Sequence, residues 1–162
     1  MAPTGPAAVM GRSLLVLAAG LVVFAGCGSG AVEIAMTPLA GRIGGASWTL
    51  VSAESSAFLS DGQPTFFVTA SAETVTACAG GGSSISGDQL ILNVPKSTGD
   101  YRLSLSLSET FYVRASNDNL VATTGRIRVD EVTATSLRGG AHFAFDGNNE
   151  VDGEFSVSIC PP

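Results

Sequence analysis

The sequence predicts an all-β fold, an antiparallel β-sandwich or flattened barrel of about eight to ten short strands, preceded by a signal peptide and a short tether. Three observations carry that reading. The composition is rich in Gly, Ser, Thr, Val and Ala, with one His, one Lys and one Trp. Helix-forming runs of Glu, Lys and Leu are missing, and β-branched residues with frequent glycine favour strands. Apolar residues also recur with period two, as in Tyr101-Arg102-Leu103-Ser104-Leu105-Ser106-Leu107-Ser108, where odd positions are apolar and even ones polar. That alternation is the pattern of a sheet with one buried and one wet face.

In chain order, Arg12 precedes an uncharged apolar run from Ser13 to Ala25, the layout of an export signal behind a short basic region. A membrane-spanning helix needs roughly 20 apolar residues, and this run is shorter. Residues 1–26 therefore read as a removable signal. Phe24-Ala25-Gly26-Cys27 resembles the lipobox of bacterial lipoproteins. The resemblance implies cleavage before Cys27, a diacylglycerol thioether on that cysteine, and often a further acyl chain, such as palmitate, on the new amino terminus. Each buried methylene contributes about 0.8 kcal/mol, so two or three acyl chains hold where one is marginal. An ordinary secretory signal is the competing reading of the same small residues.

Residues 27–40 read as a lipidated flexible tether with a reach of roughly 20 Å as a coil. Residues 41–162 are one domain's worth of chain. Gly41 to Val51 is a glycine-rich turn running into a strand. Phe58, Thr65 to Ala70 and Thr74 to Cys78 are further β-rich pieces, punctuated by Asp61-Gly62 and Pro64. Gly80-Gly81-Gly82-Ser83-Ser84 is a loop. Leu90, Leu92 and Val94 share one face of a strand that Pro95 ends. Tyr101 to Ser108 is the clearest strand by alternation. Thr110 to Ala115, Thr124 to Val132 and Gly140 to Phe145 follow at meander spacing, Asp146 to Asn149 is a turn, and Phe155, Val157 and Ile159 face inward on the last strand. No helix is predicted beyond the signal.

Gly41-x-Ile43-x-Gly45-x-x-Trp48, Thr124-Gly125-Arg126-Ile127-Arg128-Val129 and Val151-x-Gly153-x-Phe155-x-Val157 together resemble small bacterial lipoproteins grouped as a domain of unknown function. The chain departs from that pattern at Gly140 to Phe145, by one extra residue, and at Glu73 to Gln89, which looks like an insertion bearing Cys78. The resemblance implies no catalytic residues.

With Cys27 given to lipid, Cys78 and Cys160 remain as an even pair in an oxidising compartment, where a disulfide is expected. The closed loop covers most of the domain and contributes about 4 kcal/mol on chain-entropy grounds. A metal pair would need further Cys or His ligands. No cofactor and no metal is expected.

Eight basic residues stand against fourteen acidic ones. That balance repels phosphate backbones, so nucleic acid is not an expected partner; the membrane, through the lipid on Cys27, is. An envelope protein or a glycan is the further partner expected.

Catalytic constellations are sparse. His142, the one histidine, lies on the strand face opposite Phe143 and Phe145 and is expected to be exposed. No serine sits in a nucleophile-elbow pattern. Asp146-Gly147-Asn148-Asn149-Glu150-Val151-Asp152 is the densest acidic stretch, but it lacks the full calcium-loop spacing and suits a hairpin turn. Asp130 and Glu131 are neighbours, so on a regular strand they face opposite ways. Trp48 and Tyr101 are in phase with apolar faces, and one of Phe111 and Tyr112 must face outward. No catalytic residue is assigned and the chain is not expected to be an enzyme. The function expected is a membrane-anchored envelope lipoprotein displaying a non-catalytic binding or structural domain. The alternative is a hydrolase or Ca-dependent binding protein with a site built from sequence-distant residues.

Overall fold

The computed structural model describes residues 1, 33–79 and 85–161. Residues 2–26 of the expected signal, Cys27 and the expected tether as far as residue 32, and the glycine loop at 80–84 lie outside the described residues.

The fold is all-β. Eleven strands are found among the described residues: β1 (Ala40–Ile43), β2 (Ala46–Thr49), β3 (Ser52–Ser55), β4 (Thr65–Ser71), β5 (Gln89–Pro95), β6 (Gly99–Arg102), β7 (Thr110–Val113), β8 (Asp118–Val121), β9 (Thr124–Val132), β10 (Ser136–Asp146) and β11 (Asn149–Ser158). One single-turn helix, α1 (Ala57–Ser60), stands where a β-rich piece around Phe58 was expected. The Ser56 side chain caps it by accepting from the Leu59 N–H at 3.3 Å.

The strands form one curled sheet in the order β6-β9-β10-β11-β3-β4-β5-β7-β8, a half-barrel with the β1–β2 hairpin attached to β11. The sequence led to an expectation of an antiparallel sandwich or a flattened barrel; the all-β class holds, and the architecture is one curled, mixed sheet. The sheet is mixed because β11 and β3 run parallel, Ser158 opposite Glu54. The direction follows from the hairpin. β1 is antiparallel to β11 and β2 is antiparallel to β1, so β2 runs with β11, and only Leu50 and Val51 separate β2 from β3.

The concave side holds one core. Leu90, Leu92 and Val94 of β5, Phe111 of β7, Ile127 of β9 and Phe143 of β10 are all fully buried. At roughly 1.5–3 kcal/mol per buried large side chain, this cluster is the main favourable contribution to folding. Trp48 is buried, Tyr101 packs at the margin, and Phe111 points in while Tyr112 points out.

The strand with the cleanest alternation does not survive as a strand. β6 ends at Arg102, and Ser104 to Leu107 close a tight turn in which Ser104 and Leu107 exchange backbone hydrogen bonds of 2.9 and 3.1 Å. Leu105 stands fully in solvent at the tip. Three serines in five residues offer the backbone local partners, and the Ser104 and Ser106 hydroxyls meet at 3.1 Å. Local hydroxyl chemistry overrides periodicity here. Thr74 to Cys78, likewise expected to be β-rich, is an irregular strap over the outer side of β3.

Part of the stretch expected to be a flexible tether, residues 27–40, is held in the fold. Ile34 and Leu39 are buried, Leu39 donates to the Glu154 carbonyl at 2.8 Å, and Glu154 donates to the Thr37 carbonyl at 2.7 Å. This close crossing explains Gly153. Its φ is +135°, and a Cβ there would stand 2.5 Å from the Thr37 carbonyl oxygen and 2.7 Å from that of Pro38.

Candidate functional site

Strand β11 changes neighbours along one edge. Asp152, Val151 and Glu150 pair with β1, Glu154 bridges to Pro38, and pairing resumes only at Ser158 with Glu54 of β3. Ser156 lies in the interval, and no ladder partner faces it on that edge among the described residues. Over this seam lies a groove of about 530 Å³. Its lining includes the aliphatic Met36, Pro38, Leu50, Val51, Val75 and Ala77, together with Arg138, Glu154 and serines of both β3 and β11. Met36 is 84% and Val51 55% exposed. Arg138 is engaged by Glu131 at 2.6 Å.

The far wall of the groove is the strap before the glycine loop. Ser52 Oγ donates to the Glu73 carbonyl at 2.6 Å. The Glu73 carboxylate accepts the Ser86 hydroxyl at 2.7 Å and the Ser86 N–H at 3.2 Å, so it joins the two described ends of the insertion. The Ser86 hydroxyl and then its N–H hold the Glu73 carboxyl below the usual range. Cys78 and Cys160 form the expected disulfide, which ties the strap to the end of β11. Beside it lies Glu54, whose Oε2 accepts the Cys78 N–H at 2.7 Å and stands 4.0 Å from the Cys160 sulfur. Glu54 carried no signal in the sequence, because only the parallel β3–β11 pairing brings it to the cysteines.

His142 is not exposed as expected. Its side chain is 14% exposed, Nδ1 has no hydrogen-bond partner, and the imidazole lies 3.9 Å from both Glu150 and Asp152. These distances are ionic only when the imidazole is protonated. β10 pairs with long strands on both sides, so both flanking strands shield its outer face. Among the described residues no serine, threonine or cysteine hydrogen-bonds to this imidazole. Phe143 is buried as the alternation requires, whereas Phe145 is exposed at the register shift between Ala144 and Asp146.

The acidic stretch is spent on a hairpin. Asp146 Oδ1 accepts from the Asn148 N–H and from Asn149 Nδ2, both at 2.9 Å, and Asn149 Oδ1 accepts the Gly44 N–H at 2.8 Å. Asp130 and Glu131 sit at a bulge where Arg138 pairs with Glu131 and Gly139 with Val129. Both are solvated, Asp130 2.8 Å from Arg128 and Glu131 2.6 Å from Arg138.

Glu109 is a further residue that periodicity does not reveal. It is completely buried, with one carboxyl oxygen accepting the Asn93 N–H at 2.7 Å and Oε1 without a partner. Burial, partly offset by the Asn93 bond, pushes its pKa up to about 8, so the carboxyl is neutral at pH 7.

No family model, curated protein or solved structure matches this chain.

Proposed function

We propose that this chain is a lipid-anchored envelope protein, exported by residues 1–26 and held by acyl chains on Cys27, whose half-barrel works by contact at the seam groove. The membrane and an envelope protein segment are its partners, and it performs no catalysis. One observation carries the contact reading: a groove bordered by the exposed side chains Met36 and Val51 lies over an interrupted sheet edge. Exposed aliphatic groups around a concavity gain free energy when a partner covers them.

A protein partner is favoured over a glycan by the lining. Its one aromatic among the described residues, Phe155, is 5% exposed and offers no ring face for sugar stacking. Anchoring is consistent with this placement. Cys27 lies nine residues before Met36, and an extended chain of that length spans at most about 30 Å, which keeps the groove close to the bilayer. The hydrolase alternative lacks support at His142, whose neighbours are two carboxylates and no nucleophile among the described residues.

The test has two arms. Cys27→Ala abolishes incorporation of labelled fatty acid and releases the protein from membranes; retention without label contradicts the anchor. Val51→Lys, at an exposed position, leaves the fold intact and removes the partner recovered by crosslinking in the native envelope; an unchanged crosslink pattern contradicts the groove.

A further inference from the structure

We propose that Glu54, Cys78 and Cys160 form a redox-gated site for a thiophilic divalent cation, with Zn²⁺ the best chemical fit. The site is closed while the disulfide stands and opens when a dithiol reduces it. One ligand atom from each of the three residues lies within 4.8 Å of the others. Two thiolates and a carboxylate are a donor set suited to Zn²⁺, and three protein ligands leave a fourth tetrahedral position for water. Tetrahedral bonds of about 2.3 Å to sulfur require the two sulfurs to part to about 3.8 Å. The Cα atoms stand 5.2 Å apart, so side-chain rotation alone accommodates that change.

Hydrogen bonds besides the disulfide hold these residues near one another. The Cys78 N–H is held by Glu54 at 2.7 Å, the Cys160 N–H by Ser55 Oγ at 3.0 Å, and the Ile159 N–H by the Thr135 carbonyl at 2.9 Å. Each cysteine backbone thus keeps an anchor after reduction. The bond to the Cys78 N–H also orients the Glu54 carboxylate toward the sulfurs, as outer hydrogen bonds orient ligands in metal sites. Cys78 is an exposed residue, the end of the disulfide that an incoming thiolate approaches from solvent.

The chemistry balances. A dithiol supplies two electrons and two protons, the Cys78–Cys160 bond breaks to two thiols, and the dithiol closes to its own disulfide. Binding of the cation then releases both thiol protons to water and leaves a dithiolate–carboxylate complex. Reoxidation by a disulfide of higher potential expels the cation.

The test uses the full chain in detergent with Cys27→Ser, so that Cys78 and Cys160 are the remaining thiols. After phosphine reduction under anaerobic conditions, Co²⁺ is titrated as the probe and displaced with Zn²⁺. The expected result is one equivalent of Co²⁺ with a thiolate-to-cobalt charge-transfer band, no binding by the oxidised chain, and a higher Tm of the reduced chain with Zn²⁺. Glu54→Gln weakens binding by about tenfold or more. Absence of binding by the reduced chain overturns the proposal, as does binding by the oxidised chain or equal affinity in Glu54→Gln. Binding without a rise in Tm also overturns it, since an ion held only by unfolded thiols does not favour the folded state.

Discussion

The two flanks of β11 are held by different physics. On one side β9, β10 and β11 run 9, 11 and 10 residues and pair almost without interruption. On the other, β1 and β3 have four residues each, the ladder breaks at Ser156, and discrete devices take over: a disulfide, the Glu73–Ser86 clamp and the Glu54–Cys78 bond. A continuous ladder spreads stability over many cooperative hydrogen bonds and leaves no concavity. An interrupted one concentrates stability in a few side chains and leaves a groove. The contact function we propose is placed on the second flank for that reason.

The largest effect expected from breaking this contrast is at the disulfide. Cys78→Ser with Cys160→Ser lowers stability by about 4 kcal/mol in denaturant melts, because the loop released spans most of the domain. The loss concentrates on the groove side, so hydrogen exchange quickens in β3 and the strap while β9 to β11 stay protected. Uniform loss of protection would refute the division.

Gly153→Ala tests the crossing where the two flanks meet. The positive φ and the Thr37 and Pro38 carbonyls leave no room for a Cβ, and a loss of about 2–3 kcal/mol in thermal melts is expected. An effect under about 0.5 kcal/mol would mean the 37–39 segment moves aside freely.

Glu109 sharpens the comparison through pH. Its folded pKa is raised to about 8 from an ordinary 4.5, so between those values the unfolded chain releases a proton that the folded chain keeps. Stability therefore falls as pH rises from 4.5 to 8, by at most about 1.4 kcal/mol per pH unit, and levels off above. Glu109→Gln removes that slope and keeps an acceptor for the Asn93 N–H; a slope unchanged in the variant would assign it elsewhere.

The smallest effect is on the long-stranded flank. Arg126 and Asp100 meet at 2.6 Å but are both solvent-accessible, so Asp100→Asn costs at most about 0.5 kcal/mol despite the lowered pKa that the Arg126 hydrogen bonds give Asp100. A salt titration of Tm checks this, and a large salt-sensitive loss would contradict it.

How far the sequence was legible follows the same division. The Thr124–Val132 strand and the buried Leu90, Leu92 and Val94 were readable, because regular alternation on a paired strand reports burial directly. The Cys78–Cys160 pairing was readable from cysteine parity. Leu105 was misread because serine hydroxyls satisfy a turn as well as a strand exposes them. The groove, Glu54 and the parallel β3–β11 contact were invisible, since they depend on which edge of β11 each short strand takes. His142 was misjudged for a related reason: alternation gives its face but not the shielding by neighbouring strands.

The central proposal, that contact occurs at the interrupted flank, is tested most directly by a photo-crosslinking amino acid placed at Val51 on the groove or at Leu105 on the remote turn, in cells expressing the full chain. Both positions are exposed, at 55% and 106%. A discrete adduct at position 51 with none at 105 is the predicted result; identical adducts at both positions, or none at 51, would contradict it.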